Sequence, residues 1–164
     1  MRRAAALLFL PLLAGCGFTP LYAEGPVGTS LRAVAVDTAD HSRTGYFLRQ
    51  QIDDEFGRDR GAAPLYRLSL DVDENRFPLG VRINNVASRY EIALTVRWTL
   101  LDAGTGATLT RGVTPVRISY ASADPPYAGV AAQQDGVERA AREASVRVRQ
   151  DVARWLAAHP RAAG

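Results

Sequence analysis

Residues 88–101 read SRYEIALTVRWTLL, and this stretch decides the fold. Tyr90, Ile92, Leu94, Val96, Trp98 and Leu100 are apolar at every second position. Arg89, Glu91, Ala93, Thr95, Arg97 and Thr99 fill the positions between them. Successive strand side chains point to opposite faces, so the pattern predicts one long strand with a dry face and a wet face. A sheet wetted on one side has its helices on the other.

Reading outward, Asp102-Ala103-Gly104-Thr105-Gly106 supplies turn chemistry, and the strand after it, residues 107–120, should return antiparallel. Its apolar parity changes: Leu109 and Val113 are odd, whereas Val116, Ile118 and Tyr120 are even. A bulge between Gly112 and Pro115 would restore the facing, and Pro115 marks an exposed edge. Upstream, residues 65–73 alternate as well, with Tyr66, Leu68, Leu70 and Val72 on one face and Arg67, Ser69, Asp71 and Asp73 on the other. The connection at residues 76–87 (RFPLGVRINNVA) is apolar for a loop, which suits either strand continuation or a contact tip.

Nearer the N-terminus, residues 31–37 (LRAVAVD) have the length and apolarity of a strand. Asp40 or Ser42 then caps a helix over residues 43–56, where Leu48, Ile52 and Phe56 recur every four residues beside Phe47 and Gly57 stops it. After a loop at residues 121–127, residues 130–158 predict a second helix. Its stripe is Val137, Ala141, Ala144, Val148, Val152 and Trp155, with Glu138–Arg142 and Glu143–Arg147 as ion pairs on the wet side. Pro160 blocks continuation. The order is strand, helix, three strands, helix. The first crossover favours a parallel pair and the remaining strands a meander. The expected fold is α+β: a two-layer α/β sandwich, with a mixed four-stranded sheet and two helices packed on one face.

The first residues have a separate purpose. Arg2 and Arg3 precede an apolar run, residues 4–13, and Leu13-Ala14-Gly15-Cys16 follows. That order is a secretory signal, and the run is about half the ~20 residues needed to span a bilayer. Cys16 is the only cysteine, so no internal disulfide forms. Residues 1–15 are expected to be removed, residues 16–30 to form an extended lipid-bearing tether, and residues 31–164 to form one domain. Without Arg2 and Arg3 the charge balance is 18 basic against 17 acidic residues, so the basic balance of the full chain overstates the case for a polyanion partner.

Most catalytic chemistry lacks its residues. His41 and His159 have no metal-ligating neighbours in sequence, and no nucleophile elbow or phosphate loop occurs. Asp53, Asp54 and Glu55 point in different directions around a helix, so they read as a solvated face. No cofactor, metal or enzymatic activity is expected. What remains is the wet sheet face, where Arg67, Arg89, Arg97 and Arg117 are candidate contacts for the phosphates of a lipid head group, or else ordinary solvated arginines. Asp71 and Asp73 on the same face offer neutralising partners.

Leu13-Ala14-Gly15-Cys16 resembles the lipobox of bacterial lipoproteins, in which the cysteine carries lipid. Cys16-Gly17-Phe18-Thr19-Pro20-Leu21-Tyr22 resembles the mature start of the LptE family of lipopolysaccharide-assembly lipoproteins. Arg89-Tyr90-Glu91, Leu100-Leu101-Asp102 and Ser119-Tyr120 continue the similarity in outline, whereas residues 76–87 carry no family motif. The resemblance implies lipidation at Cys16 and an anchor on the periplasmic side of the outer membrane. It also implies a partnership with the LptD β-barrel, which such proteins plug and help to assemble, and a role with it in placing lipopolysaccharide in the outer leaflet. The alternative is an accessory binding lipoprotein of another envelope lipid-transport system.

Overall fold

The computed structural model describes residues 25–81, 87–121 and 126–160. Three helices and four strands follow in the order α1 (Pro26–Arg32), β1 (Val34–Thr38), α2 (Arg43–Phe56), β2 (Tyr66–Val81), β3 (Ala87–Asp102), β4 (Thr108–Ala121) and α3 (Pro126–Ala158). The sheet order is β1-β2-β3-β4. β1 pairs parallel with β2, and β2, β3 and β4 form the antiparallel meander, so the mixed four-stranded sheet is as expected.

Local chemistry explains the element ends. Ser42 Oγ accepts the Gly45 amide at 3.0 Å at the start of α2, while Asp40 accepts both the Ser42 amide and the Ser42 hydroxyl. Both candidate caps are therefore used, Ser42 directly and Asp40 by holding it. Gly57 ends α2 with φ 58°, a left-handed turn that a Cβ disfavours. In the turn between β3 and β4, Asp102 Oδ1 accepts the amides of Gly104 and Thr105.

The even-numbered residues of β2, β3 and β4 form one side of a single core with α2 and α3. Leu68, Ile92, Val96 and Leu100 are fully buried against Leu48 and Ile52 of α2 and Val148 and Val152 of α3. Ala140, Ala141 and Ala144 bring α3 close, since small side chains let a helix backbone approach its neighbours. Such burial stabilises by about 1.5–3 kcal/mol for each large apolar side chain.

Three expectations need correction. First, the described residues form three helices, not two. Residues 26–32 were expected to be the end of an extended tether and the start of a strand, and they form α1. Pro26 opens it with a preset φ, and Leu31 is buried at 2 % exposure with Val27 packed beside it. Second, β2 extends past the expected residues 65–73 to Val81, which bears out strand continuation as the reading of residues 76–81; residues 82–86 lie outside those described.

Third, the bulge is not between Gly112 and Pro115. The β3–β4 register is regular there and shifts between Leu100 and Leu101, which face Thr110 and Thr108. Trp98 lies opposite Gly112, where a Cβ would come within 2.3 Å of the indole, and its Nε1 donates to Thr114 Oγ1 at 3.2 Å. The ring and its hydrogen bond turn Gly112 and Thr114 inward, leaving Val113 59 % exposed. Pro115 does lie on an edge strand.

Candidate functional site

The alternating pattern places Arg67, Arg89, Arg97 and Arg117 on the outer sheet face, opposite the core, and all four are exposed. The register decides how they stand to one another. Arg67 pairs with Leu101 and Arg117 with Ala93, so measured along β3 the four fall at positions 101, 97, 93 and 89. Steps of four strand residues are roughly 13 Å, so Arg89 and Arg97 are about 26 Å apart. The structure brings the four to one face but not to one point. Arg89 and Arg97 do not share a single phosphate.

Three of the four have carboxylate neighbours. Arg67 pairs with Asp37 at 3.7 Å, Arg97 with Asp71 at 3.3 Å and Arg117 with Glu91 at 2.9 Å. These are cross-strand pairs with the arginines in water and only Glu91 among the carboxylates partly buried, each worth little to stability. Asp73 accepts from Asn75 Nδ2. Arg89 stands beside Leu79 of β2, and Phe77 and Leu79 are exposed at 48 % and 37 %. The outer face is therefore a mixed-charge surface over most of its length, ending in an apolar patch that holds Arg89. It offers separate anion contacts along a line rather than a closed cradle.

The other acidic and basic candidates disperse. Asp53 faces Arg60 at 3.6 Å, and Glu55 accepts from Arg149 Nη1 at 3.0 Å, tying α2 to α3. Glu143–Arg147 forms as expected at 2.6 Å, whereas Glu138 accepts from Gln134 instead of pairing with Arg142. His41 lies before α2; His159 stacks on Trp155 at the end of α3 with ring centroids 4.4 Å apart. No metal-binding group of acids, histidines or cysteines occurs among the described residues. Cys16 lies outside them.

Two features escaped the sequence reading. On the helix-facing side, Arg76 sits over the Tyr90 ring at 5.2 Å and donates to Gln133 Oε1 at 2.6 Å, and Tyr90 stacks on Tyr120 at 5.6 Å. Thr44 Oγ1 donates to Glu74 Oε2 nearby. The second feature is a groove between β4 and α3, with Ile118, Arg139, Arg142, Val146 and Arg147 in its walls. Helical spacing of 139, 142, 146 and 150 was its only sequence signal, and that spacing does not reveal which strand lies alongside.

Comparison with known proteins bears on this arrangement. No curated protein sequence matches the chain. A crystal structure of a Caulobacter crescentus CB15 protein described as a lipoprotein is 46% identical. It covers 84% of this chain and 100% of its own, with a TM-score of 0.73. Rare lipoprotein B of Shewanella oneidensis shares the fold at 16% identity and TM-score 0.56, over 74% of this chain and 93% of its own. A lipoprotein B of Nitrosomonas europaea does so at 14% and 0.56, over 79% and 90%. Residues 31–154 match the family model LptE, described as lipopolysaccharide-assembly, from Leu31 into the last turns of α3, and the chain belongs to that family.

Proposed function

We propose that this protein is an outer-membrane lipoprotein, lipidated on Cys16, that plugs an LptD-type β-barrel and assists its assembly. Together the two insert lipopolysaccharide into the outer leaflet. The observation that carries the reading is the family match over residues 31–154. The architecture is compatible with it. Read as a two-layer sandwich, the domain has a self-contained core and a wet face of paired charges, as a plug in a polar barrel lumen needs. None of the described helices is long and apolar enough to cross a membrane; on this reading the lipid on Cys16 supplies the attachment. On this reading residues 1–15 are the signal, residues 16–24 join the lipid to α1, and the remainder is one domain. The protein acts by binding, without catalysis or cofactor.

Mild detergent extraction of outer membranes should yield the protein together with a β-barrel; recovery only as a free monomer would refute the proposal. Cys16→Ala should mislocalise the protein while leaving the domain folded. Arg89 and Arg97, with Arg67 and Arg117 as further contacts, are assigned to lipopolysaccharide phosphates. Replacing Arg89 and Arg97 together should weaken lipopolysaccharide binding without unfolding, and unchanged affinity at low salt removes that assignment.

A further inference from the structure

The charges of this domain are sorted along the sheet. β1, α2 and β2 carry seven acidic residues against four arginines, whereas β4 and α3 carry seven arginines against four acidic residues. The cationic pole is also where the sheet is open. β1 is an edge of five residues, but β4 is an edge of 14. α3 packs chiefly on β4 and less on β3, which sets it over this edge. Between them runs a groove of about 610 Å³, with Ile118 on the strand side and Arg139, Arg142, Glu143, Val146 and Arg147 along the helix.

The backbone of β4 points the same way. Pro115 has no N–H, and its carbonyl accepts from Arg147 Nη1 at 2.9 Å, so it faces away from β3. The register is regular from Gly112 to Ala121, so Val113, Arg117 and Ser119 share its parity and turn their amides and carbonyls outward too. Among the described residues no strand pairs with that side. An open strand edge is a template for an added strand. Two copies meeting edge to edge would oppose Arg111, Arg117 and Arg142 to their own kind, which disfavours self-pairing.

We infer that the β4 edge and the stripe of α3 beside it are a docking seat for an acidic, extended segment of a protein partner, added as a fifth strand along residues 117–121. A carboxylate on its helix-facing side meets Arg142, beside the Arg139–Asp135 pair, and an apolar side chain rests on Ile118 and Val146. This deepens the partner reading above, and rests on it only in requiring a protein partner in the envelope.

The test uses the full-length lipidated protein in cells, with a photo-crosslinking residue in place of Val146, Ala121 or, as a control on α2, Gln50. Crosslinked peptides from Val146 and Ala121 should map to one acidic, extended segment of one protein, and those from Gln50 should not. Arg142→Glu and Ser119→Pro should each lower the yield at least tenfold with thermal melting unchanged. Ser119→Pro removes an outward amide and leaves the ladder to β3 intact, as Pro115 already does; should it unfold the domain, Arg142→Glu decides. Products that map to a second copy of the chain, to lipid or to a helical or basic segment overturn the inference, as do unchanged yields or no product. A barrel that copurifies but crosslinks only through Gln50 sinks the seat and leaves the function. An acidic segment of a protein other than a barrel, captured at both the α3 and the β4 position, keeps the seat and sinks the barrel partner.

Discussion

Gly112→Ala tests the arrangement that sets the facing of β4. The added Cβ would lie 2.3 Å from Trp98 Cζ2, 2.6 Å from Cε2 and 3.0 Å from Nε1. Carbon atoms in contact sit about 3.5–4.0 Å apart, so the indole must move by more than about 1 Å. Trp98 is 5% exposed and has little room to do so. Overpacking of this kind costs about 1–3 kcal/mol. Displacing the ring also breaks its bond to Thr114, which is 3% exposed, and an orphaned buried group costs about 1–3 kcal/mol more. The smaller unfolded-state freedom of Ala offsets about 0.5–1 kcal/mol. The net loss is about 1–5 kcal/mol, and its midpoint of about 3 kcal/mol is a fall in Tm of roughly 10 °C for a domain of this size. Urea unfolding followed by tryptophan fluorescence reads both the stability and the wetting of the ring. Thr114→Val supplies the second arm of a double-mutant cycle: it should cost less in the Gly112→Ala background, where the bond is already gone. A variant within about 0.5 kcal/mol of the parent, with unshifted emission, would refute the account of β4.

Gly45→Ala should lower Tm although it places a better helix former within α2, because its Cβ would stand 2.6 Å from the Asp40 carbonyl oxygen; a loss of about 1–3 kcal/mol is expected, and a higher Tm would contradict it. Ser42→Ala removes the cap of α2 and should cost about 1 kcal/mol in urea unfolding, with fraying visible by circular dichroism at the start of that helix. Arg97→Ala and Arg117→Ala each break a solvent-exposed pair and should shift stability by less than about 1 kcal/mol, so a large fall in the urea midpoint would mean that these pairs hold the sheet together.

The elements read most accurately from sequence are those whose signal is local. The 43–56 helix has its cap, its four-residue apolar repeat and its stop in one short run, and α2 has those bounds. The 88–101 alternation lies within β3 with the expected face buried. α1 was missed because seven residues are too few to be stable as a helix alone, and burial of Leu31 among distant elements completes it. The misplaced bulge has the same cause: whether Gly112 or Val113 turns inward depends on Trp98 across the strand pair, a residue 14 positions away. At the candidate site, strand parity was enough to put four arginines on the wet face. Their spacing and their carboxylate partners required the register between strands.

The sequence by itself determined the periods: which residues alternate, which recur at helical spacing, and where Ser42, Gly57 and Asp102 begin or end an element. These depend on backbone geometry and near neighbours, so they are written in consecutive residues. Tertiary structure alone decided the pairings. It spread Arg67, Arg89, Arg97 and Arg117 in a line, packed Trp98 onto Gly112, and set the arginine stripe of α3 beside the open edge of β4. Those outcomes depend on which distant surfaces fit together when the core closes, and volume and register across strands have no local code.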